Sequence, residues 1–137
     1  MSKIFDWQEF HWLARELFSQ ADGSSHTEVM FRTAVSRAYY AAFHRACEYL
    51  EEVNEYPTRQ EFEGNRKETH RFLISMFLNN PDHPERRKIG RMLHYLKGFR
   101  HQADYVRSVE RHVFRKKDEV EALIDKAEKA IDLIDSL

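Results

Sequence analysis

The chain has 137 residues, of which 42% are hydrophobic and 13% aromatic, with only four glycines and three prolines. This length suits one domain with its own hydrophobic core, so we expect residues 1–137 to form a single domain. The aromatic content excludes wholesale disorder, and the scarcity of glycine and proline argues against a β architecture with many turns. The net charge of −1, taken alone, argues against a protein that binds polyanions.

The same composition bears on the cellular compartment. Cys47 is the single cysteine, which excludes a disulfide within the chain, and its apolar helical surroundings indicate a small core residue. Residues 1–9 lack the uninterrupted apolar stretch of a signal peptide, and no run approaches the ~20 apolar residues of a membrane span. We therefore expect a cytoplasmic protein with no membrane association.

Every strong hydrophobic periodicity in the chain is that of an α-helix. The first predicted helix covers residues 6–20. Aromatic residues crowd its start, where they either cover the bundle or form an interface; they are Phe5, Trp7 and Trp12.

The second predicted helix covers residues 27–53 and is the longest. It begins at a capping-box pattern, in which Ser25 is followed three residues later by Glu28. Its apolar residues cover more than one face, which predicts a position at the centre of a bundle.

Residues 54–65 are predicted to form a loop. A second capping-box pattern, Asp82 with Glu85, stands before the fourth helix, and Pro84 suits its first turn. Together the elements predict an all-α fold, an up-and-down bundle of four to five helices. The three later helices are predicted at residues 67–78, 84–103 and 117–137.

The basic residues are concentrated in one segment. Residues 83–117 carry eleven lysines and arginines against three acids, a net charge of +8, whereas residues 1–82 and 118–137 carry −4 and −5. The overall charge of −1 is therefore a cancellation. Such a segment is typical of a surface that binds phosphate groups. The alternative is a solvated helix face that the acidic last helix neutralises.

The candidate catalytic chemistry is limited to arginine and histidine. The sequence has no Cys/His cluster, no histidine pair at the spacing of a zinc site and no glycine-rich phosphate loop, so we expect no metal and no cofactor. An imidazole that takes the 2′-hydroxyl proton, with a guanidinium that stabilises charge at phosphorus, can cleave RNA without metal. Arg100 with His101 and Arg107 with His112 could supply these groups; the alternative for each is an ordinary surface pair.

Two segments together resemble a known family. Residues 32–44 (Arg-Thr-Ala-Val-Ser-Arg-Ala-Tyr-Tyr-Ala-Ala-Phe-His) resemble the second-helix signature of the HEPN domain (higher eukaryotes and prokaryotes nucleotide-binding). Residues 100–105 (Arg-His-Gln-Ala-Asp-Tyr) resemble the segment that follows the family's penultimate long helix. The resemblance implies an up-and-down helical bundle, usually a homodimer, often paired with a minimal nucleotidyltransferase in toxin–antitoxin or defence modules.

The resemblance also implies where a site would lie. Many members are metal-independent RNases built on an arginine, a short spacer and a histidine. Arg100 matches the arginine, but Tyr105 stands where the histidine is expected, so the chain is similar to the Ala-Asp-Tyr subgroup. Arg107 and His112 have a similar spacing but lie downstream of the usual position.

Spacings of three and four place polar residues of the second helix on one face. One interpretation is a structural ion pair between Arg37 and Asp104. The other is a cleft, between this face and residues 100–105, that binds a nucleotide or an RNA phosphate. The candidate binding residues are Arg37, Tyr40, His44, Arg100, His101, Asp104 and Tyr105.

Three functions therefore remain open. The first is an HEPN-type protein that binds nucleic acid or nucleotides. The second is a metal-independent endoribonuclease that uses Arg100 or Arg107 with His112 or His101. The third is a non-catalytic helical partner of a nucleotidyltransferase or another protein.

Overall fold

The structure is a computed structural model that describes residues 4–64 and 69–137. The regular elements of these residues are all helical, which confirms the all-α prediction. None of the helices in these two ranges combines the length and the apolar character needed to cross a membrane. The helices are α1 (Glu9–Ala21), α2 (Thr27–Glu52), α3 (Arg59–Gly64), α4 (Thr69–Leu78), α5 (Pro84–Tyr105), a 3-10 helix (Glu110–Arg115) and α6 (Lys117–Asp135).

Helix α2 lies at the centre of the molecule, as its sequence predicts. It packs against α1, α5, α6 and the 3-10 helix. Its buried side chains include five alanines, and such small residues let the neighbouring helices approach closely. Cys47 is also buried in this helix, in agreement with its interpretation as a core residue.

The predicted capping boxes are wrong at both positions. No side-chain hydrogen bond caps the start of α2, and Ser25 does not take that role. The Glu28 carboxylate is instead bound by Arg32 at 3.0 Å and by Arg115 at 2.7 Å. Two guanidinium groups thus bind this carboxylate in place of the backbone N–H group of a capping box. The box at residues 82–85 is likewise not formed, although Pro84 occupies the first turn of α5 as predicted.

The predicted loop at residues 54–65 contains the short helix α3, which the sequence analysis missed. Its start carries a true capping box. The Glu61 backbone N–H donates to Thr58 Oγ1 at 3.2 Å, and the Thr58 N–H donates to Glu61 Oε1 at 3.2 Å. The Thr-x-x-Glu pattern in the sequence is therefore enough to predict the start of this helix. The predicted start of the next helix, at residue 67, lies outside the described residues.

The chain between α5 and α6 forms a 3-10 helix that periodicity did not predict. Phe114 anchors it in the core with 1% of its surface exposed. Arg111 and His112 have φ angles of 63° and 50°, in the left-handed region that non-glycine residues seldom occupy. The backbone is therefore strained at two consecutive residues close to the predicted site.

Candidate functional site

Two arginines from different helices lie on the ring of Tyr40. The Arg37 guanidinium carbon is 4.9 Å from the Tyr40 centroid and 4.8 Å from that of Phe10. The Arg100 guanidinium carbon is 5.7 Å from the Tyr40 centroid and 5.5 Å from that of Tyr39. These are cation–π distances, and they arise because α2 and α5 pack together. We refer to Arg37, Tyr40 and Arg100 as the Tyr40 cluster.

Neither arginine of the Tyr40 cluster forms an ion pair with a described acid. Arg37 donates to the Ser36 hydroxyl at 3.3 Å, and that hydroxyl donates to Asp104 at 3.1 Å. The direct ion pair between Arg37 and Asp104 is therefore replaced by a link through Ser36. The Nε atom of Arg100 is buried and has no hydrogen-bond partner in the described part of the chain. The cluster thus holds two positive charges that the surrounding protein does not neutralise directly.

His44 lies beside the cluster but is covered by Trp7. The two rings stack with centroids 3.6 Å apart and planes 10° apart, and the His44 centroid is 6.2 Å from that of Tyr40. Burial, aided by the positive charge of Arg37, lowers the pKa of His44 below its ordinary value. The imidazole is therefore neutral near pH 7. Trp7 covers the bundle here, one of the two roles expected for the N-terminal aromatic residues.

The candidate residues at the end of α5 are only partly joined to the Tyr40 cluster. Asp104 reaches it through Ser36. His101 and Tyr105 pair with each other at 5.3 Å between centroids, and Tyr105 is 71% exposed. Both residues are exposed, and His101 directly follows Arg100 in the chain.

Arg107 and His112 meet in a second place. They line one small cavity of about 40 Å³, together with Glu28, Arg32, Ser108 and Arg115. His112 is one of the two strained residues of the 3-10 helix. Neither a hydrogen bond nor a ring contact joins His112 to Arg100 within residues 4–64 and 69–137. The structure thus separates the candidate catalytic residues into an Arg107/His112 pair and Arg100.

Arg32 is the structurally important residue that the sequence analysis did not single out. Its Nη1 donates to the backbone carbonyls of Gln102 and Ala103, each at 3.1 Å, and of Val106 at 2.7 Å. The last carbonyls of a helix lack partners within the helix, so Arg32 caps the end of α5. Arg32 is the first residue of segment 32–44, which resembles the family signature. The sequence shows its positive charge but does not indicate that it donates to backbone carbonyls.

Within the described residues, the ion pairs that the acids of α6 form do not neutralise the positive charge of the basic segment, residues 83–117. Arg15 of α1 binds Asp125 at 2.8 Å and Glu128 at 2.7 Å, and Arg45 of α2 binds Asp135 at 2.7 Å. The acidic last helix therefore forms these ion pairs with arginines from the first two helices. From the basic segment, Arg86, Arg115 and Lys117 pair with Glu55, Glu28 and Asp22.

Comparisons with known proteins leave the family open. No family model matches the chain, and searches of curated proteins and of solved structures find no significant match. The resemblance of residues 32–44 and 100–105 to the HEPN domain therefore stays a prediction. In the ranges that the structure describes, no group of three or more His, Cys, Asp or Glu side chains is arranged to hold a metal ion.

Proposed function

We propose that this chain is an HEPN-type RNA-binding protein that holds the phosphodiester backbone of single-stranded RNA at the Tyr40 cluster. The observation that carries the proposal is the pair of arginines on the Tyr40 ring without acidic partners. The resemblance supports a homodimer in a prokaryotic toxin–antitoxin or defence module, with a minimal nucleotidyltransferase as its partner.

The chemistry of the cluster suits a phosphate. Guanidinium groups bind phosphate through two parallel hydrogen bonds, and Arg37 and Arg100 approach one ring from two helices. The guanidinium carbons of Arg37 and Arg100 lie 4.9 Å and 5.7 Å from the same ring centroid, so both charges would attract a phosphate beside Tyr40. No described residue accepts a hydrogen bond from Arg100, and its Nε is buried, so a ligand would be bound through the Nη groups.

Neighbouring features favour an RNA strand over a free phosphate ion. The basic segment, residues 83–117, extends along the chain on both sides of Arg100 and carries a net charge of +8. The exposed pair of His101 and Tyr105 offers rings on which unpaired bases can stack. A polymer can engage both the charge and the rings, whereas an isolated phosphate can engage only the cluster.

The test is a binding titration of labelled single-stranded RNA over a series of salt concentrations. We expect Arg37→Gln and Arg100→Gln each to weaken binding about tenfold and to reduce the slope against salt by about one. Arg91→Gln is the matched control, because Arg91 is an exposed residue of the same helix. We expect Arg91→Gln to lower the affinity no more than about threefold and to change the slope by less than about one half.

Three results would overturn the proposal. Equal losses for Arg100→Gln and Arg91→Gln would show diffuse binding by the basic segment. The absence of salt-sensitive RNA binding would favour the alternative of a non-catalytic helical partner protein. A free nucleoside monophosphate that competes fully with RNA would show that the cluster takes a nucleotide instead.

The shared cavity of Arg107 and His112 favours one second candidate function, a metal-independent endoribonuclease. In that reaction the His112 imidazole takes the proton of a 2′-hydroxyl, the resulting oxygen attacks phosphorus, and Arg107 stabilises the added charge. The 5′-oxygen leaves with the proton that the His112 imidazolium returns, which yields a 2′,3′-cyclic phosphate and a 5′-hydroxyl end. We expect cleavage that resists EDTA and that His112→Asn abolishes, with His94→Asn, a change at an exposed histidine of α5, as the control. No cleavage by the purified protein would exclude this function.

A further inference from the structure

The segment that joins α5 to the 3-10 helix carries an exposed serine. Val106 and Val109 both have extended backbone angles, with φ of −102°, so the chain between them is not helical. Ser108 lies in this segment and is exposed, and its hydroxyl has no hydrogen-bond partner among the described residues. A hydroxyl of this kind, on a surface loop, is accessible to a modifying enzyme.

Ser108 borders a cavity that has an excess of positive charge. The cavity's one acid is Glu28, and its three arginines are Arg32, Arg107 and Arg115. Glu28 binds Arg32 at 3.0 Å and Arg115 at 2.7 Å. The Arg107 side chain has no acidic partner in the part of the chain that the structure describes. One carboxylate for three guanidinium groups leaves these side chains with a net charge of +2.

A phosphate group on Ser108 would match both the charge and the size of this cavity. Phosphoserine carries a charge of about −1.5 to −2 near pH 7, which balances the excess. The volume of about 40 Å³ is about three times what one water molecule needs, so the terminal oxygens of a phosphate fit. Guanidinium groups bind such oxygens through paired hydrogen bonds, and Arg107 can do so without giving up an ion pair.

We propose that Ser108 is a phosphorylation site and that Arg107 and Arg115 bind its phosphate group. A protein kinase would transfer the γ-phosphoryl group of ATP to Ser108 Oγ. A new bond from this oxygen to phosphorus forms, the bond from the γ-phosphorus to the bridging oxygen breaks, ADP leaves, and the serine proton passes to a base of the kinase.

The modification would change the charge of the basic segment, residues 83–117. Its net charge of +8 would fall to about +6, because one phosphate group adds about two negative charges. The site uses no residue of the Tyr40 cluster, so it goes beyond the proposed RNA binding.

The test compares two forms of the full chain, in which genetic code expansion places phosphoserine at position 108 or at position 136. Titration by ³¹P nuclear magnetic resonance gives the second pKa of each phosphate group. Nearby guanidinium groups favour the doubly charged form, so we expect the pKa at position 108 to lie about one pH unit below that at position 136. Ser136 is the matched control, because it is exposed at the end of α6 and has Asp132 and Asp135 nearby instead of arginines.

Arginine variants identify the groups that bind the phosphate. In the chain phosphorylated at Ser108, Arg107→Gln and Arg115→Gln should each raise the phosphate pKa toward the control value. Arg91→Gln, at an exposed arginine of α5, should leave it unchanged. The phosphate on Ser108 should also raise the Tm by about 2–5 °C through new charge-assisted hydrogen bonds. Arg107→Gln should remove this gain while leaving the Tm of the unphosphorylated chain unaltered.

A kinase reaction tests whether the hydroxyl is accessible in the folded chain. Arg107 and Arg111 flank Ser108, so the enzyme used is a serine kinase that selects basic sequences, supplied with ATP. Phosphopeptide mapping should find the phosphate on Ser108. Absence of phosphate from Ser108, or equal phosphate pKa values at positions 108 and 136, would each overturn the proposal. These measurements use no RNA, so their outcome does not depend on the proposed function of the Tyr40 cluster.

Discussion

Arg32 of α2 donates a hydrogen bond of 2.7 Å to the backbone carbonyl of Val106, the first residue beyond α5. The same nitrogen reaches the carbonyls of Gln102 and Ala103. A cation at the carboxyl end of a helix also interacts favourably with the helix dipole. This contact ties the end of α5 to α2 and so holds Asp104 close to Ser36 and the Tyr40 cluster.

Arg32→Ala is expected to lower the free energy of unfolding by about 2–4 kcal/mol, because it leaves several carbonyls and the Glu28 carboxylate with fewer partners. Urea denaturation measures this change. Arg115→Ala is the control, since Arg115 also binds Glu28 at 2.7 Å but is 63% exposed, and we expect a cost below about 1 kcal/mol. Similar losses in both variants would contradict the capping role.

The two glycines of α5 should respond in opposite directions to alanine. A Cβ atom at Gly90 would lie 2.8 Å from the backbone nitrogen of Leu78, so α4 and α5 could not keep their close approach. We expect Gly90→Ala to cost about 1–3 kcal/mol. Gly98 has no such neighbour within 4 Å, so Gly98→Ala should stabilise the chain by about 0.5–1 kcal/mol. Thermal denaturation of both variants checks the opposite signs.

The free energy of unfolding should decrease as the pH is lowered below about 6.5. Burial lowers the pKa of His44 and of His11 in the folded chain. Below the ordinary value of 6.5 the unfolded chain therefore binds protons that the folded chain excludes, and the free energy of unfolding decreases until the lowered pKa values are reached. Urea denaturation at about pH 7.5 and about pH 5.5 measures this loss.

The contribution of His44 to this loss of stability can be measured with a variant whose side-chain ring still stacks on Trp7. His44→Phe should reduce the loss of stability between the two pH values, with the remainder coming from His11. His94→Phe, which changes an exposed histidine of α5, should leave the loss as it is in the unchanged chain. An unaltered loss in His44→Phe would contradict the assignment.

The Cys47 thiol should be unreactive while the chain is folded. Burial, with the nearby carboxylates of Glu51 and Glu48, raises the pKa of Cys47 to about 12, so very little thiolate exists at pH 8. We expect a thiol reagent to label the folded protein slowly and the urea-unfolded protein quickly, with one thiol per chain. Rapid labelling of the folded protein would show that this part of α2 opens readily.

Helix positions were predictable, but the contacts at helix starts were not. The predicted start of α2 at Thr27 is confirmed, because periodicity and local breakers act within a few residues. The capping box of Ser25 and Glu28 failed because Arg115, 87 residues further along the chain, binds the same carboxylate. The short helix α3 lies inside the predicted loop because Thr58 and Glu61 cap it, although Pro57 and Gly64 stand at its two ends.

The candidate site was predictable only in part. The spacing of Arg37, Tyr40 and His44 placed them on one face of α2, but periodicity did not show that Trp7 would cover His44. Arg100 belonged to the expected segment, yet its position on the Tyr40 ring depends on how α2 and α5 pack. The structure brings together the candidate pair Arg107 and His112 through the strained 3-10 helix, which has no signature in hydrophobic periodicity.

The sequence by itself determined the helical class, the central position of α2 and the division of charge into acidic and basic segments, because these follow from local periodicity and composition. Only the tertiary structure decided which charges neutralise one another. Ion pairs such as Arg15 with Asp125 join residues 110 positions apart, and their formation depends on helix packing. In that packing the acids of α6 bind Arg15 and Arg45. Arg37 and Arg100 both lie on Tyr40 and have no acidic partner among the described residues.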